Sequence, residues 1–262
     1  MNASQRGFPK RSPFEAVYLT SDLVAQRTRV IDLICPKPGE HFLDIGVGPG
    51  LLAYDVARLV GPSGRVLGID ISTDMLAIAR ERLAPLTWTE CREGNAVELK
   101  FADGSFDAAV SAQVYEYVAD MPLALRELHR VLRPGGRVLI LDTDWRSIVW
   151  HSSDNRLMER VLACWDDHLA DPHLPATLGP MLTRSGFQVW RVEIAPMFSP
   201  HWQPMSYAAG ILSGIYNFIR KNGPRHGLSS DEIAAWHADQ IKLIDRQEFF
   251  FSLNRYVFVA TR

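Results

Sequence analysis

Apolar and polar positions change period along the chain. In TSDLVAQRTRVIDLI, from Thr20, the apolar Leu23, Val24, Val30, Ile31 and Ile34 leave Arg27 and Arg29 for another face, a spacing that predicts a helix. Pro36, Pro38 and Gly39 end it. From there to about residue 142 β-rich runs alternate with helical stretches: HFLDIGV, LLAYDVARLV, RVLGID and TDMLAIARERL, then FDAAVSA, PLALRELHRVL and RVLILD. Strands separated by helices predict a parallel sheet with helices on both faces, because a parallel neighbour is reached only through a crossover. Gly61-Pro62-Ser63-Gly64 and Arg133-Pro134-Gly135-Gly136 supply the punctuation after two of the helices.

Beyond that point the pattern predicts helices near 153–169 and 175–185, then the strands FQVWRVEIA and RYVFVAT. The chain between those two strands holds MSYAAGILSGIYNFI, apolar on most faces, and SSDEIAAWHADQIKLIDR, which opens with a capping box of Ser229 and Glu232. It predicts a helical cap, an insert over 196–253. The aperiodic start, MNASQRGFPKRSP, places a flexible arm over 1–19 ahead of a domain over 20–262.

The chain has 262 residues, 47% hydrophobic and 22% charged, as expected for a packed globular domain. Its 28 Lys+Arg against 30 Asp+Glu give a net charge of −2, without general attraction for a polyanion, so no nucleic-acid partner is expected. Cys35, Cys91 and Cys164 lie far apart without a C-x-x-C pair, which suggests neither a disulfide framework nor a thiolate zinc site. No apolar run has the length of a signal-peptide core near the start or of a bilayer span later, so the expectation is a cytoplasmic protein without stable membrane insertion.

The chemistry concentrates in LDIGVGPG, residues 43–50, between a strand and a helix. Gly46 and Gly48 permit a sharp turn and close approach of a ligand to backbone, and the following helix directs free N–H groups toward it. The dinucleotide pattern G-x-G-x-x-G would need its third glycine at position 51, where Leu51 stands; here it is Gly50. Asp44 precedes the first glycine by two positions, and Asp70 ends the next strand, where a carboxylate can accept both hydroxyl hydrogens of an adenosine ribose.

At these residues, and from 42 to about 142, the sequence resembles the class I S-adenosylmethionine-dependent methyltransferases, with the ubiquinone and menaquinone biosynthesis enzymes nearest in pattern. The resemblance implies an α/β, Rossmann-like fold with a mainly parallel seven-stranded sheet, an antiparallel last strand and a helical cap. It implies that Asp44, Gly46, Gly48 and Gly50 hold the methionine part of S-adenosyl-L-methionine, Asp70 its ribose, and Ile71 and Met75 its adenine. The family's G-D-A at the end of strand 3 is replaced by Gly94-Asn95-Ala96, so that Asn95 would accept the adenine amino hydrogen through its amide oxygen, beside Ala96. Gln113, after strand 4, completes the cofactor set.

Methyl transfer needs alignment and exclusion of water more than acid–base chemistry. The acceptor belongs at the carboxyl ends of the strands, where Gln113, Tyr115 and Glu116 follow strand 4 and Asp142, Thr143, Asp144 and Trp145 follow strand 5. Asp144 and His151 are the acid–base candidates. Tyr18, Tyr115, Trp145, Trp150, His201 and Tyr207 are the acceptor-side candidates, with core packing an equal reading for Tyr115, Trp145 and Trp150 and the weightier one for His201 and Tyr207 in the cap. The segment from Cys164 to His173 has ligating side chains but no metal-site spacing, so no metal is expected. The activity expected is methylation of a small, aromatic or apolar metabolite, with a homodimer as the candidate assembly. A cofactor binder without turnover and a nicotinamide-dependent oxidoreductase are the alternatives.

Overall fold

The first five strands run parallel because each returns to the sheet through a crossover rather than a hairpin. The computed structural model describes residues 17–262, so most of the arm expected over 1–19 lies outside the described residues. In chain order the elements are α1 (Ser21–Ile34), β1 (His41–Ile45), α2 (Leu51–Val60), β2 (Arg65–Asp70), α3 (Thr73–Leu83), β3 (Thr89–Glu93) and β4 (Phe106–Ala112). Then come α4 (Met121–Val131), β5 (Leu132–Thr143), β6 (Val149–Trp150), α5 (Asn155–Asp166) and α6 (Pro175–Arg184). The chain closes with β7 (Gln188–Ser199), α7 (Tyr207–Asn222), α8 (Ser230–Asp245) and β8 (Phe251–Thr261).

The sheet order is β3-β2-β1-β4-β5-β8, with β7 on the outer side of β8. β8 is antiparallel to β5 and β7, so its amino end lies beside the carboxyl end of β5, where Thr143 faces Arg255. The amino end of β8 runs on past β5, and the two-residue β6 pairs with it there through Val149 and Trp150. Seven long strands therefore match the expected sheet, with β6 as a short addition. Arg133–Gly136, read from sequence as punctuation, bulges out of β5: Leu132 faces Phe106 and the next paired residue is Arg137, opposite Ala108.

Successive residues of one strand serve opposite cores. Leu43, Ile45, Val138 and Ile140 pack beneath α4 and α6, while Phe42, Val110, Leu139 and Leu141 pack beneath α1, α2 and α3. A third cluster joins α5, α7 and α8 to the amino end of β8 through Met158, Ile215, Trp236, Phe251 and Leu253. The strands claim both margins of the insert expected over 196–253: β7 continues to Ser199 and β8 begins at Phe251. The reason is burial of Met197, Phe251 and Leu253 against the cap helices, and Pro196 is tolerated because β7 is an edge strand. Among the described residues no helix is long and apolar enough to cross a membrane.

Helix α1 lacks a side-chain amino cap, and its carboxyl end is held from outside. Arg137 on β5 donates to Ile34 O at 2.6 Å and Cys35 O at 2.7 Å while pairing with Glu40 at 2.7 Å. Both charged side chains are largely buried. Replacing Arg137 by Met strands Glu40 and uncaps α1, and is expected to lower stability by about 2 kcal/mol in urea unfolding; a change below about 0.5 kcal/mol would show that the contact is idle.

Candidate functional site

At the end of β1 the chain must turn sharply to start α2. Gly46, Gly48 and Gly50 do this with φ of 73°, 51° and 78°, a left-handed conformation that side-chain-bearing residues resist. A Cβ on Gly46 would stand 2.2 Å from Val114 Cγ2, and one on Gly50 3.1 Å from Ala79 Cβ. A Cβ on Gly48 would meet nothing nearer than 4.0 Å, so this residue marks the open side of the turn.

The turn is tied to β2. Gly46 and Val47 both donate to Ile69 O, at 2.8 and 2.9 Å. Asp70 accepts from Gly48 N–H through Oδ2 and from Ser72 N–H through Oδ1, both at 2.9 Å. The carboxylate is thus oriented, and each oxygen keeps a lone pair for a ligand. Ile71 beside it is 74% exposed, an unusual place for a large apolar side chain, and Met75 is half-buried on the first turn of α3. Beneath the turn Asp44 is buried, its Oδ2 without a partner; burial, with the charge of Asp70, pushes its carboxyl up to about 7.

Asn95 Oδ1 accepts Val97 N–H at 3.2 Å, which orients the amide and leaves its oxygen a second lone pair. The side chain is exposed. Ala96 is buried against Leu43 and Ile45 in the core.

The carboxyl ends of β4 and β5 and the amino end of β8 converge next to this turn. Gln113, in a left-handed conformation at φ 60°, donates its N–H to Leu141 O at 2.7 Å, accepts from Thr143 Oγ1 at 2.7 Å and leaves Nε2 buried without a partner. Val114 N–H donates to Asp142 Oδ1 at 3.0 Å. Asp142 Oδ2, Tyr115 OH, Glu116 Oε2 and Arg255 Nε are also buried and unpartnered. Such atoms cost about 1–3 kcal/mol each and in a folded protein call for an explanation.

Burial pushes Glu116 up to about 7, opposed first by Arg255 and then by Trp145 and the Thr143 backbone. Asp142 is raised well above the usual carboxylate range by burial and by Glu116. Arg255 donates to Gln26 Oε1 at 2.7 Å and lies over the Tyr207 ring, 4.4 Å from its centroid. Tyr18 feels both halves of the site: burial raises its phenol, Arg255 opposes that, and Asp70 and Tyr207 add to it.

The structure therefore gathers Tyr18, Tyr115, Trp145 and Tyr207 around the strand ends. Asp144 is differently engaged: it caps the turn at Trp145 by accepting Arg146 N–H at 3.1 Å, and it pairs with Arg146 and with His173 Nδ1, each at 3.2 Å. His151 is exposed beyond β6, its Nδ1 2.8 Å from Glu248 O. Trp150 packs edge-on to Phe251 at 5.1 Å and to Trp236 at 6.0 Å, inside the third core. His201 is exposed in the chain after β7. In the segment from Cys164 to His173, His168 lies against Trp165 at 4.1 Å while His173 faces Asp144. A surface groove of about 400 Å³ between α5 and α8, lined by Asp154, Arg160 and Glu232, lies apart from these groups.

Arg255 was missed by sequence reasoning. Its signal is a cation at an inward position of an otherwise apolar last strand, RYVFVAT. Glu116 and Asp142 were noted only as residues following strands, since nothing local reveals that they lose their solvent.

Residues 43–140 match a family model described as a methyltransferase domain. The chain is 33% identical over 173 residues to the 2-phytyl-1,4-naphtoquinone methyltransferase of Nostoc sp., an alignment covering 61% of this chain and 71% of that protein. The first curated relatives are matched over only 43–47% of their own length, so the alignment spans less than half of each of them. Among solved structures, the 4+2 cyclase SpnF superposes with a TM-score of 0.62 at 21% identity, covering 91% of this chain and 80% of that one. Phosphoethanolamine N-methyltransferase 2 of Haemonchus contortus, in complex with S-adenosyl-L-methionine, gives 0.56 at 23% identity, covering 91% and 52%. At these identities the structural likeness is one of fold.

A buried acid with a raised pKa binds its proton more tightly in the folded than in the unfolded chain, so its contribution to stability falls as pH rises from the ordinary 4.5 to about 7. Glu116→Gln is expected to leave stability nearly unchanged at pH 5 and to raise it by about 2 kcal/mol relative to the parent at pH 8. Thermal melts at the two pH values check this; a pH-independent difference would place Glu116 in contact with solvent.

Proposed function

Since the chain belongs to the S-adenosylmethionine-dependent methyltransferases, we propose that it transfers a methyl group from S-adenosyl-L-methionine to a small, aromatic or apolar metabolite. The observation that carries this reading is the left-handed turn Gly46–Gly50, open at Gly48 and locked to an oriented Asp70 carboxylate beside an exposed Ile71. A polar acceptor of two hydrogens beside an apolar surface fits a ribose and its base, and the unpartnered Asp44 Oδ2 fits a cationic neighbour. Gly46, Gly48 and Gly50 would line the methionine part, Asp70 would take the ribose hydroxyls, and Ile71 and Met75 would cover the adenine. Asn95 would accept the adenine amino hydrogen through its amide oxygen, and Gln113 would offer its free Nε2. When bound, the cofactor supplies a methyl group already activated on a sulfonium.

The remaining work falls to the strand ends. Tyr18, Tyr115, Trp145 and Tyr207 wall the acceptor from water and hold it in line. Glu116, poised near neutrality, takes in its carboxylate form the proton that the acceptor loses and becomes the neutral acid, while Asp142 keeps its own proton beside it. In this reading Asp144 and His151 position the surrounding turns. The net charge of −2 supports a small-molecule acceptor over nucleic acid. The same proposal places the protein in the cytoplasm and makes it a homodimer. The apolar strip Trp190, Val192, Ile194 and Phe198, exposed on β7, supports self-association, and sedimentation would report it.

Asp70→Ala is expected to weaken S-adenosylhomocysteine binding roughly 10- to 100-fold in calorimetry, the loss of a charged hydrogen-bond acceptor; unchanged affinity would remove the donor site from this turn. Glu116→Gln should slow transfer of labelled methyl into extracted metabolites by about 100-fold while leaving that affinity intact. Equal rates would show that no base acts at Glu116, and no labelled product from the parent protein would refute turnover.

A further inference from the structure

Arg255 is buried, and among the described residues it forms no ion pair. Its Nη1 is spent on Gln26 and its plane is supported by Tyr207, so α1 and α7 hold the guanidinium still. Nε is buried without a partner, and the edge it shares with Nη2 is the side-on fork that receives two oxygens in parallel. Glu116 and Asp142 act on Arg255 from a distance: among the described residues neither carboxyl stands within ion-pair reach of the guanidinium. A buried guanidinium with no carboxylate at contact distance is costly, and a ligand that brings the counter-charge recovers that cost on binding. A single cation with an unpartnered Nε matches a monoanion of planar geometry. The Tyr207 ring against it, with Tyr115 and Trp145 following the neighbouring strand ends, calls for an apolar body.

We propose that the methyl acceptor is an apolar molecule bearing a carboxylate, and that Arg255 selects it by donating its Nε and Nη2 hydrogens to the two carboxylate oxygens. This rests on the methyl-transfer reading above. Arg255 is then a specificity residue, fixing the acceptor between the Gly46–Gly50 turn and Glu116 without taking part in proton transfer.

The test uses two probes of the same shape, 1-naphthoate and neutral 1-naphthamide, titrated calorimetrically into the full chain saturated with S-adenosylhomocysteine. The parent is expected to bind naphthoate at least tenfold more tightly than naphthamide. Arg255→Lys, which keeps the charge and loses the fork, should cut that preference several-fold, and Arg255→Met should abolish it while S-adenosylhomocysteine affinity stays the same. Gln26→Ala, which frees Nη1 without emptying the core, should also weaken the preference should the Met variant fail to fold. Equal affinity of the two probes for the parent, binding of neither, or a preference that survives Arg255→Met or, if that variant does not fold, Gln26→Ala overturns the proposal. Failure of the parent to bind S-adenosylhomocysteine would instead overturn the methyl-transfer reading on which it rests.

Discussion

The hydrogen bond from Gly48 N–H to the Asp70 carboxylate is the contact on which the site depends. It joins the turn after β1 to the end of β2, and it is available only because three glycines adopt left-handed backbone in five residues. Without it the turn could relax, the first turn of α2 would lose its aim and Asp70 would be free to rotate. Packing reinforces the same geometry from two sides, since Val114 fills the space a Cβ on Gly46 would need and Ala79 does so for Gly50. The turn is held in place by β4 and α3 as well as by β2.

A second constraint sits on the other side of that turn. The sheet ends in polar groups removed from water before all their partners are supplied: Asp44, Gln113, Tyr115, Glu116, Asp142 and Arg255 each keep a buried atom unpaired. Stability alone would select apolar residues there. The arrangement trades stability for a dry polar surface whose acid lies near neutrality and whose cation is fixed, which is the environment in which charge is felt most strongly.

Helix α1 connects these two regions to the cap. Asp22 accepts Tyr207 N–H at 2.8 Å where α7 begins, Gln26 holds Arg255, and Arg27 reaches Asp55 on α2 at 2.8 Å and the Tyr18 carbonyl at 3.3 Å. One face of a single helix thus sets the cap, the buried cation and the helix that follows the glycine turn relative to one another. Its carboxyl end is in turn anchored to β5 through Arg137 and Glu40.

The amino-acid order by itself determined the parts governed by local backbone and by period. Glycines spaced for a tight turn, an acid at the end of the next strand, strands separated by helices and the capping box at Ser229 were legible because each is written within a few residues. The margins of the insert were less so, since Pro196 reads as a strand breaker until β7 is seen to be an edge. The acceptor side was decided by tertiary structure. Glu116 and Asp142 come together only when β4 and β5 align, and Arg255 joins them only through the antiparallel register that sets it opposite Thr143. Asp144, by contrast, turned to its own neighbours Arg146 and His173. Proximity in sequence told which residues follow a strand, but burial, which gives a carboxyl or a guanidinium its chemistry, is a property of everything packed around it.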